Sequence, residues 1–310
     1  QHFEAPSLTL VPGFIEPHIH GFGGFDVMDA TEESMKAICR TLAKHGTTSF
    51  LPTTVSAPED LLTAAVERLS ALIPRQFDGA QPLGIHLEGP FINTDKRGTH
   101  QSANLRKPDA ALLSKWMLES RGQIRLLTMA PELDGARVVS RVAQSSGIVV
   151  GMGHSDASYA ETISAVNEGM HYAVHTFNAM RPLSHRDAGI VGAVLSDDRV
   201  FAEIIADGIH VAPEVVRIFS KAKGAARIIL ATDATSATGM PDGQYSLGTG
   251  QVQVRGGVCR DAEGRLAGST LTQDRALRNL LQWTNLQVQE ALMSLTVNPA
   301  RALSLEGRGR

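Results

Sequence analysis

The sequence predicts an α/β fold in which eight parallel strands close a (β/α)8 barrel of the triosephosphate-isomerase type. Short apolar runs alternate with segments of helical period along most of the chain, and this is the pattern of repeated βα units. Eight such runs occur, the number of strands that closes this barrel. The 310 residues also accommodate a barrel of about 250 residues with additions.

The strands are predicted from apolar runs bounded by turn residues or by helix signals. In chain order, the eight runs are Leu8 to Glu16, Thr48 to Thr54, Leu83 to Leu87, Ile124 to Met129, Ile148 to Gly151, Tyr172 to Val174, Val200 to Ile205 and Ile228 to Thr232.

Helix signals follow several of these runs. Thr31 is expected to cap a helix that stops at Gly46, and Ser56 opens a capping-box pattern with Pro58 in the first turn. After the fifth run, Ser155 or Asp156 is expected to cap the next helix.

Beyond Asp233 the pattern changes, since residues 245–260 alternate around several glycines. This predicts a small β excursion rather than another βα unit. Two helices, Thr272 to Thr284 and Gln287 to Leu295, are expected to finish the chain.

Composition indicates a small-molecule partner. The net charge of -3 comes without any long run of like charges, so nucleic acid and anionic membranes are not expected as partners. The sequence has no apolar run of 18 residues, so no membrane span is predicted. Only Cys39 and Cys259 occur, and this usage predicts a reducing, cytoplasmic setting.

His18 and His20 follow each other as H-x-H at the end of the first run. Alternate residues of a strand point to the same face, so both imidazoles can reach one metal ion. Two histidines in an exposed turn are the alternative that the pair alone leaves open.

Four further candidate ligands end other runs: Glu88, His154, His175 and Asp233. Barrel enzymes carry their chemistry at this rim. Six nitrogen and oxygen ligands exceed the needs of one tetrahedral ion, so one or two divalent ions are expected. No lysine ends the fourth run, so a carboxylated lysine is not expected to bridge two ions. Glu88 is the expected bridging ligand instead. Taken singly, Glu88 could instead be a carboxylate in an ion pair at the rim, and His154 could be a neighbour of a helix cap.

Asp233 has a second expected role. A carboxylate beside a metal-activated water can accept its proton and return it to a leaving amine. A cap for the turn at Thr235 is the alternative. His86 shares the face of Glu88 and is interpreted as a core residue or as support for the ligands.

Several stretches together resemble the N-acetylglucosamine-6-phosphate deacetylases of the amidohydrolase superfamily. They read VPGFIEPHIHG from Val11, GIHLEGPF from Gly84, KRGTH from Lys96, GHS from Gly153, HTFNAM from His175, IADGIH from Ile205, ATDA from Ala231 and NPARAL from Asn298. They occur in the family's order and at similar spacing, from about residue 11 to residue 303.

The resemblance implies deacetylation of N-acetyl-D-glucosamine 6-phosphate in amino-sugar catabolism, with Asp233 as acid/base and His100 polarising the acetyl carbonyl. It implies that Glu88, His154 and His175 form the invariant metal site, and that His18 and His20 occupy a second, variable metal position. Zinc is the first expectation, and iron, manganese and cobalt are compatible. The implied sugar and phosphate contacts are Thr99, His100, Asn178, Ala179, Arg186, His210, Leu266, Ala267 and Gly268.

The resemblance also implies a domain organisation and a homodimer. Residues 1–10 would be the remnant of an N-terminal β segment, residues 11–303 the barrel, and residues 304–310 the start of a truncated C-terminal segment. The small terminal β-sandwich of the family would thus be mostly absent from this chain.

Two other functions stay open at this point. The rim ligands would equally serve an amidohydrolase acting on a cyclic amide or an N-acyl amino acid. A barrel that binds metal or sugar without turnover is the second alternative, and the presence of Asp233 argues against it.

Overall fold

The computed structural model describes residues 10–305 and 307–309 of the chain. Its main sheet contains eight parallel strands in sequential order. They are β1 Phe14–Ile19, β2 Thr47–Thr54, β3 Ile85–Glu88, β4 Ile124–Met129, β5 Val149–Met152, β6 Tyr172–Ala173, β7 Phe201–Ile204 and β8 Ile228–Leu230. A short strand, Gln81–Pro82, also pairs with β2.

The first and last strands meet just beyond their carboxyl ends. Ile19 forms a parallel bridge with Ala234, the amide of Asp233 donates to the carbonyl of His18 over 3.0 Å, and the amide of His20 donates to Ala234 over 2.8 Å. These contacts bring the segment after β8 beside β1, which confirms the predicted barrel.

Ten α-helices surround or follow these strands in the described residues. They are α1 Glu32–Ala43, α2 Glu59–Leu72, α3 Ala110–Glu119, α4 Ala136–Ser145, α5 Tyr159–Asn167, α6 Gly189–Ser196, α7 Pro213–Lys223, α8 Gln273–Trp283, α9 Val288–Met293 and α10 Val297–Ala302. Four short 3-10 helices lie at Val27–Asp29, Thr94–Lys96, Ser102–Asn104 and Ala225–Arg227.

Some local predictions were wrong. The first strand begins at Phe14, because its pairing with β2 starts there. Helix α5 is capped by Ser158, whose reciprocal hydrogen bonds with Glu161 form a capping box, and not by Ser155 or Asp156. The helix of residues 297–302 was not predicted. Thr31 caps α1 as expected.

The β excursion is confirmed as a three-stranded antiparallel sheet of β9 Gly243–Leu247, β10 Gly250–Arg255 and β11 Val258–Arg260. Its first turn lies against the barrel rim. Gly248 has a φ of +56°, and a Cβ atom there would come within 2.2 Å of the Val55 side chain. Only glycine suits both the backbone angle and this close approach.

The predicted N-terminal β segment lies outside the described residues, except for Leu10. Ser304, Leu305 and residues 307–309 carry no helix or strand within the described part of the chain. Among the described residues, no helix combines the length and apolar character that a membrane span requires.

A layer of four side chains packs together from the even-numbered strands. Leu51 of β2, Leu126 of β4, Tyr172 of β6 and Ile229 of β8 are all fully buried in one cluster, which Leu303 joins. Layers of four from alternate strands are typical of this barrel. The layer supports the polar residues at the rim.

Replacing Leu126 with alanine should therefore lower the free energy of unfolding by about 2–5 kcal/mol, because the substitution would leave a cavity surrounded by packed side chains. Leu118, which is 80% exposed on α3, gives the matched control: its change to alanine should cost within about 0.5 kcal/mol. Equilibrium urea unfolding measures both. Equal effects of the two substitutions would contradict the buried layer.

Candidate metal centre

Histidine and carboxylate side chains converge at the carboxyl ends of five barrel strands. His18 lies in β1 and His20 follows it, Glu88 ends β3, and His154 and His175 each lie two residues beyond their strands. Asp233 follows β8. Parallel strands present their carboxyl ends at one rim, and this brings together residues that are up to 215 positions apart in the sequence.

Three of these residues have left-handed backbone conformations: φ is +47° at His154, +30° at His175 and +50° at Asp233. Side chains with a Cβ atom rarely adopt such angles, and the strain costs of order 1–3 kcal/mol for each residue. Strain of this kind is concentrated at functional sites. It turns each side chain out of the strand direction and towards the same point.

Glu88 is the centre of the cluster and is only 3% exposed. Its Oε1 atom lies 3.2 Å from His18 Nε2, 3.2 Å from His154 Nε2 and 3.0 Å from His175 Nε2. Its Oε2 atom lies 3.2 Å from His20 Nε2 and 3.3 Å from His100 Nε2. One carboxylate thus contacts five imidazoles.

The ligand atoms form two groups that share Glu88. One group is His18, His20 and Glu88, and the other is Glu88, His154 and His175; within each, the candidate ligand atoms lie within 4.8 Å of one another. A carboxylate shared between two sets of imidazoles matches the donor set of a divalent-metal centre.

Second hydrogen bonds orient three of the rings. Nδ1 of His20 lies 3.2 Å from the Thr53 carbonyl, Nδ1 of His154 lies 2.8 Å from the Lys96 carbonyl, and Nδ1 of His18 lies 3.0 Å from a Glu203 carboxylate oxygen. Since these oxygens only accept, each Nδ1 carries the hydrogen. Each Nε2 is left to bind a cation, as in zinc sites.

The electrostatics of the cluster call for positive charge. Burial alone would raise the pKa of Asp233, but His18 and His20 hold it well below its usual range. Burial alone would lower the pKa of His20, but hydrogen bonds with Asp233 and Glu88 raise it to about 9. Nε2 of His154 also lies only 3.1 Å from Nε2 of His175. A metal cation fits this arrangement, because it supplies the charge that two buried carboxylates require.

His100 differs from the other rings. The backbone N–H of Ser56 donates to its Nδ1 over 3.1 Å, so the ring hydrogen must lie on Nε2, which faces Glu88. Burial lowers the pKa of His100 to about 4. The ring is therefore a neutral donor.

Ser56 was predicted to begin a capping box on α2, but this prediction was wrong: the cap position is Pro58, without a side-chain hydrogen bond in the described residues.

A cavity of about 170 Å³ opens over the cluster. It is lined by most of the residues predicted to contact sugar or phosphate: Thr99, His100, Asn178, Ala179, His210, Leu266 and Gly268. Two predicted contacts are not among its lining residues in the described chain. Arg186 is exposed, and Ala267 is buried in the core of the small sheet with Val252 and Cys259.

His210 enters this cavity with its ring held by Asp207. The Asp207 carboxylate lies 2.7 Å from Nδ1 of His210 and also accepts the backbone N–H groups of Ile209 and His210. This leaves Nε2 of His210 free to contact a ligand. His86, in contrast, is buried and hydrogen-bonded to Thr53 and Thr128, in agreement with its interpretation as a core residue.

Sequence reasoning missed Glu203 and Ser56. Glu203 lies inside the run of β7, where a single polar residue among apolar ones was the available signal. Ser56 was interpreted as part of a helix-cap pattern, so its contact with His100 was not predicted. Both act through partners that are distant in sequence.

Known proteins match this chain over most of its length. A model of the amidohydrolase family matches residues 9–309. An N-acetylglucosamine-6-phosphate deacetylase from Vibrio furnissii is 40% identical over 299 residues, covering 96% of this chain and 75% of the relative. An N-acetylgalactosamine-6-phosphate deacetylase from Escherichia coli O157:H7 is 39% identical, covering 98% of this chain and 80% of the relative.

Solved structures agree with the fold. N-acetylglucosamine-6-phosphate deacetylase from Thermotoga maritima superposes with a TM-score of 0.91 at 35% identity and covers 100% of this chain and 83% of that one. A mutant of the Mycobacterium smegmatis enzyme in complex with N-acetyl-D-glucosamine-6-phosphate gives a TM-score of 0.92 at 35% identity, with 99% and 83% covered. The chain belongs to the amidohydrolase family and, within it, to the N-acetylglucosamine-6-phosphate deacetylases.

Proposed function

We propose that this chain hydrolyses the acetamide of N-acetyl-D-glucosamine 6-phosphate to glucosamine 6-phosphate and acetate, as a step of amino-sugar catabolism. The observation that carries the proposal is the Glu88 carboxylate, which lies within 3.3 Å of five imidazole nitrogens beneath a cavity of about 170 Å³. Relatives with this activity, at up to 40% identity, support the substrate class.

The proposed cofactor is one or two divalent ions, with zinc as the first candidate. Glu88, His154 and His175 would hold one ion, and His18 and His20 would join Glu88 to hold a second. When bound, such an ion supplies Lewis acidity that activates the attacking water and the acetyl carbonyl.

Asp233 is proposed as the general acid and base. The carboxylate is ionised at neutral pH and lies beside the candidate metal ligands, 3.1 Å from Nε2 of His20, so it can accept the proton of the attacking water. The same group then returns that proton to the departing amine nitrogen. His100 carries its hydrogen on Nε2 and is neutral, so it can donate a hydrogen bond to the oxygen that gains charge.

The cavity walls supply the proposed substrate contacts. Thr99, Asn178, Ala179, Leu266 and Gly268 line the space for the sugar, and His210 presents Nε2 for the phosphate. Arg186 is exposed on its own chain, and its proposed contact with the phosphate would be made across a homodimer. The buried free thiols of Cys39 and Cys259 support a cytoplasmic setting.

The direct test is acetate release by purified protein of measured metal content. N-acetyl-D-glucosamine 6-phosphate should be turned over, and N-acetyl-D-galactosamine 6-phosphate belongs in the same assay because a relative at 39% identity is named for it. Unphosphorylated N-acetylglucosamine is the control. Metal-loaded protein that releases acetate from neither phosphate ester would contradict the proposal, and turnover of cyclic amides or N-acyl amino acids would favour the alternative.

Asp233→Asn should lower kcat by about 100- to 10,000-fold, because the amide accepts no proton from the attacking water. Metal content measured by elemental analysis should stay at the wild-type value, since the remaining ligands are unchanged. Asp134→Asn removes an exposed carboxylate beyond β4 and should retain activity. A near-normal kcat for Asp233→Asn would exclude the acid/base role.

Arg186→Ala and His210→Gln should each raise KM for the phosphorylated sugar by about 10- to 100-fold, the value of one hydrogen bond to a charged group. KM for the unphosphorylated sugar should change little. Arg137→Ala, on the outer helix α4 and 65% exposed in its side chain, is the matched control. Equal effects on both sugars would argue against phosphate recognition by these residues.

A further inference from the structure

Glu203 is a fully buried carboxylate in β7, below the ligand cluster. One of its oxygens, Oε2, lies 3.0 Å from Nδ1 of His18 and also accepts the backbone N–H of His175 over 3.1 Å. The other, Oε1, accepts the Tyr172 hydroxyl over 2.7 Å. Glu203 is therefore in contact with one member of each of the two ligand groups.

A buried carboxylate is costly unless several donors satisfy it. Three donors satisfy Glu203, and two of them belong to candidate metal ligands. An apolar side chain at this strand position would fill the barrel at less cost. The charge at Glu203 is thus best explained by what it does to the ligands above it.

The ring of His18 is held differently from those of the other oriented ligands. Nδ1 of His20 and Nδ1 of His154 face backbone carbonyls, which are neutral. Of these three rings in the described part of the chain, only that of His18 has a carboxylate behind it. A carboxylate partner fixes the imidazole orientation and makes the metal-binding nitrogen more basic than a carbonyl partner does.

We propose that Glu203 is a positioning residue that sets the affinity of the ion held by His18, His20 and Glu88. Its negative charge strengthens Nε2 of His18 as a ligand, and its shared oxygen fixes His18 relative to His175 of the other group. This inference rests on the proposed metal centre and adds a residue that contacts neither the ion nor the substrate.

The test measures metal binding rather than turnover. Protein stripped with a chelator is titrated with Co²⁺ by calorimetry, and visible absorption follows each site as it fills. The wild-type chain should bind two ions. Glu203→Gln keeps the shape of the side chain and removes its charge, so one ion should bind as before and the other about 10- to 100-fold more weakly.

Two further variants assign the weakened site. His18→Asn should abolish that site, and adding Glu203→Gln to His18→Asn should change the remaining affinity no further. Tyr172→Phe is the matched control, because it removes a hydrogen bond to Glu203 but keeps the carboxylate beside His18. Its effect should be much smaller than that of Glu203→Gln.

Glu203→Asp provides a second measurement if the glutamine variant does not fold. It retains the charge but withdraws it by one methylene group, so the same site should weaken. Two-site binding with unchanged affinities in either variant would overturn the inference, as would an equal loss in Tyr172→Phe. A wild-type chain that binds no ion would instead contradict the proposed metal centre, and one that binds a single ion would overturn the inference alone.

Discussion

The rest of the site depends on the contact between one carboxylate and five imidazoles at Glu88. These groups are buried together although each would be better solvated by water. A barrel without a function at its rim would have no need to bury them there. Barrel geometry makes the arrangement possible, because the carboxyl ends of β1, β3, β5, β6 and β8 meet at one rim. A divalent cation bound by these ligands would offset the cost of burying two carboxylates.

The structure around Glu88 keeps this cluster rigid. Strained backbone at His154, His175 and Asp233 aims side chains that a relaxed strand end would direct elsewhere. Carbonyls and Glu203 hold the far side of the rings, and the apolar layer of Leu51, Leu126, Tyr172 and Ile229 supports them from below. Conformational entropy has thus been removed before any ligand binds, which is the condition for effective catalysis by positioned groups.

Sequence reasoning reached the eight strands and the six rim residues because both depend on short-range patterns. A strand is an apolar run, and a ligand at its end is one residue to be noticed. The contact of Ser56 with His100 and the place of Glu203 behind His18 were beyond its reach for a physical reason. Their roles or positions follow from how separate strands and loops pack, and a local pattern such as the capping box at Ser56 can arise without being used.

The small sheet formed by β9, β10 and β11 lies between the last barrel strand and α8, and its first turn rests on Val55 at the rim. It carries Leu247, and the segment that leaves it carries Leu266 and Gly268, so this excursion provides one wall of the cavity but none of the candidate metal ligands. This wall and the candidate ligands therefore lie in separate stretches of the chain. A substitution in the small sheet can reshape one side of the cavity without altering any candidate ligand.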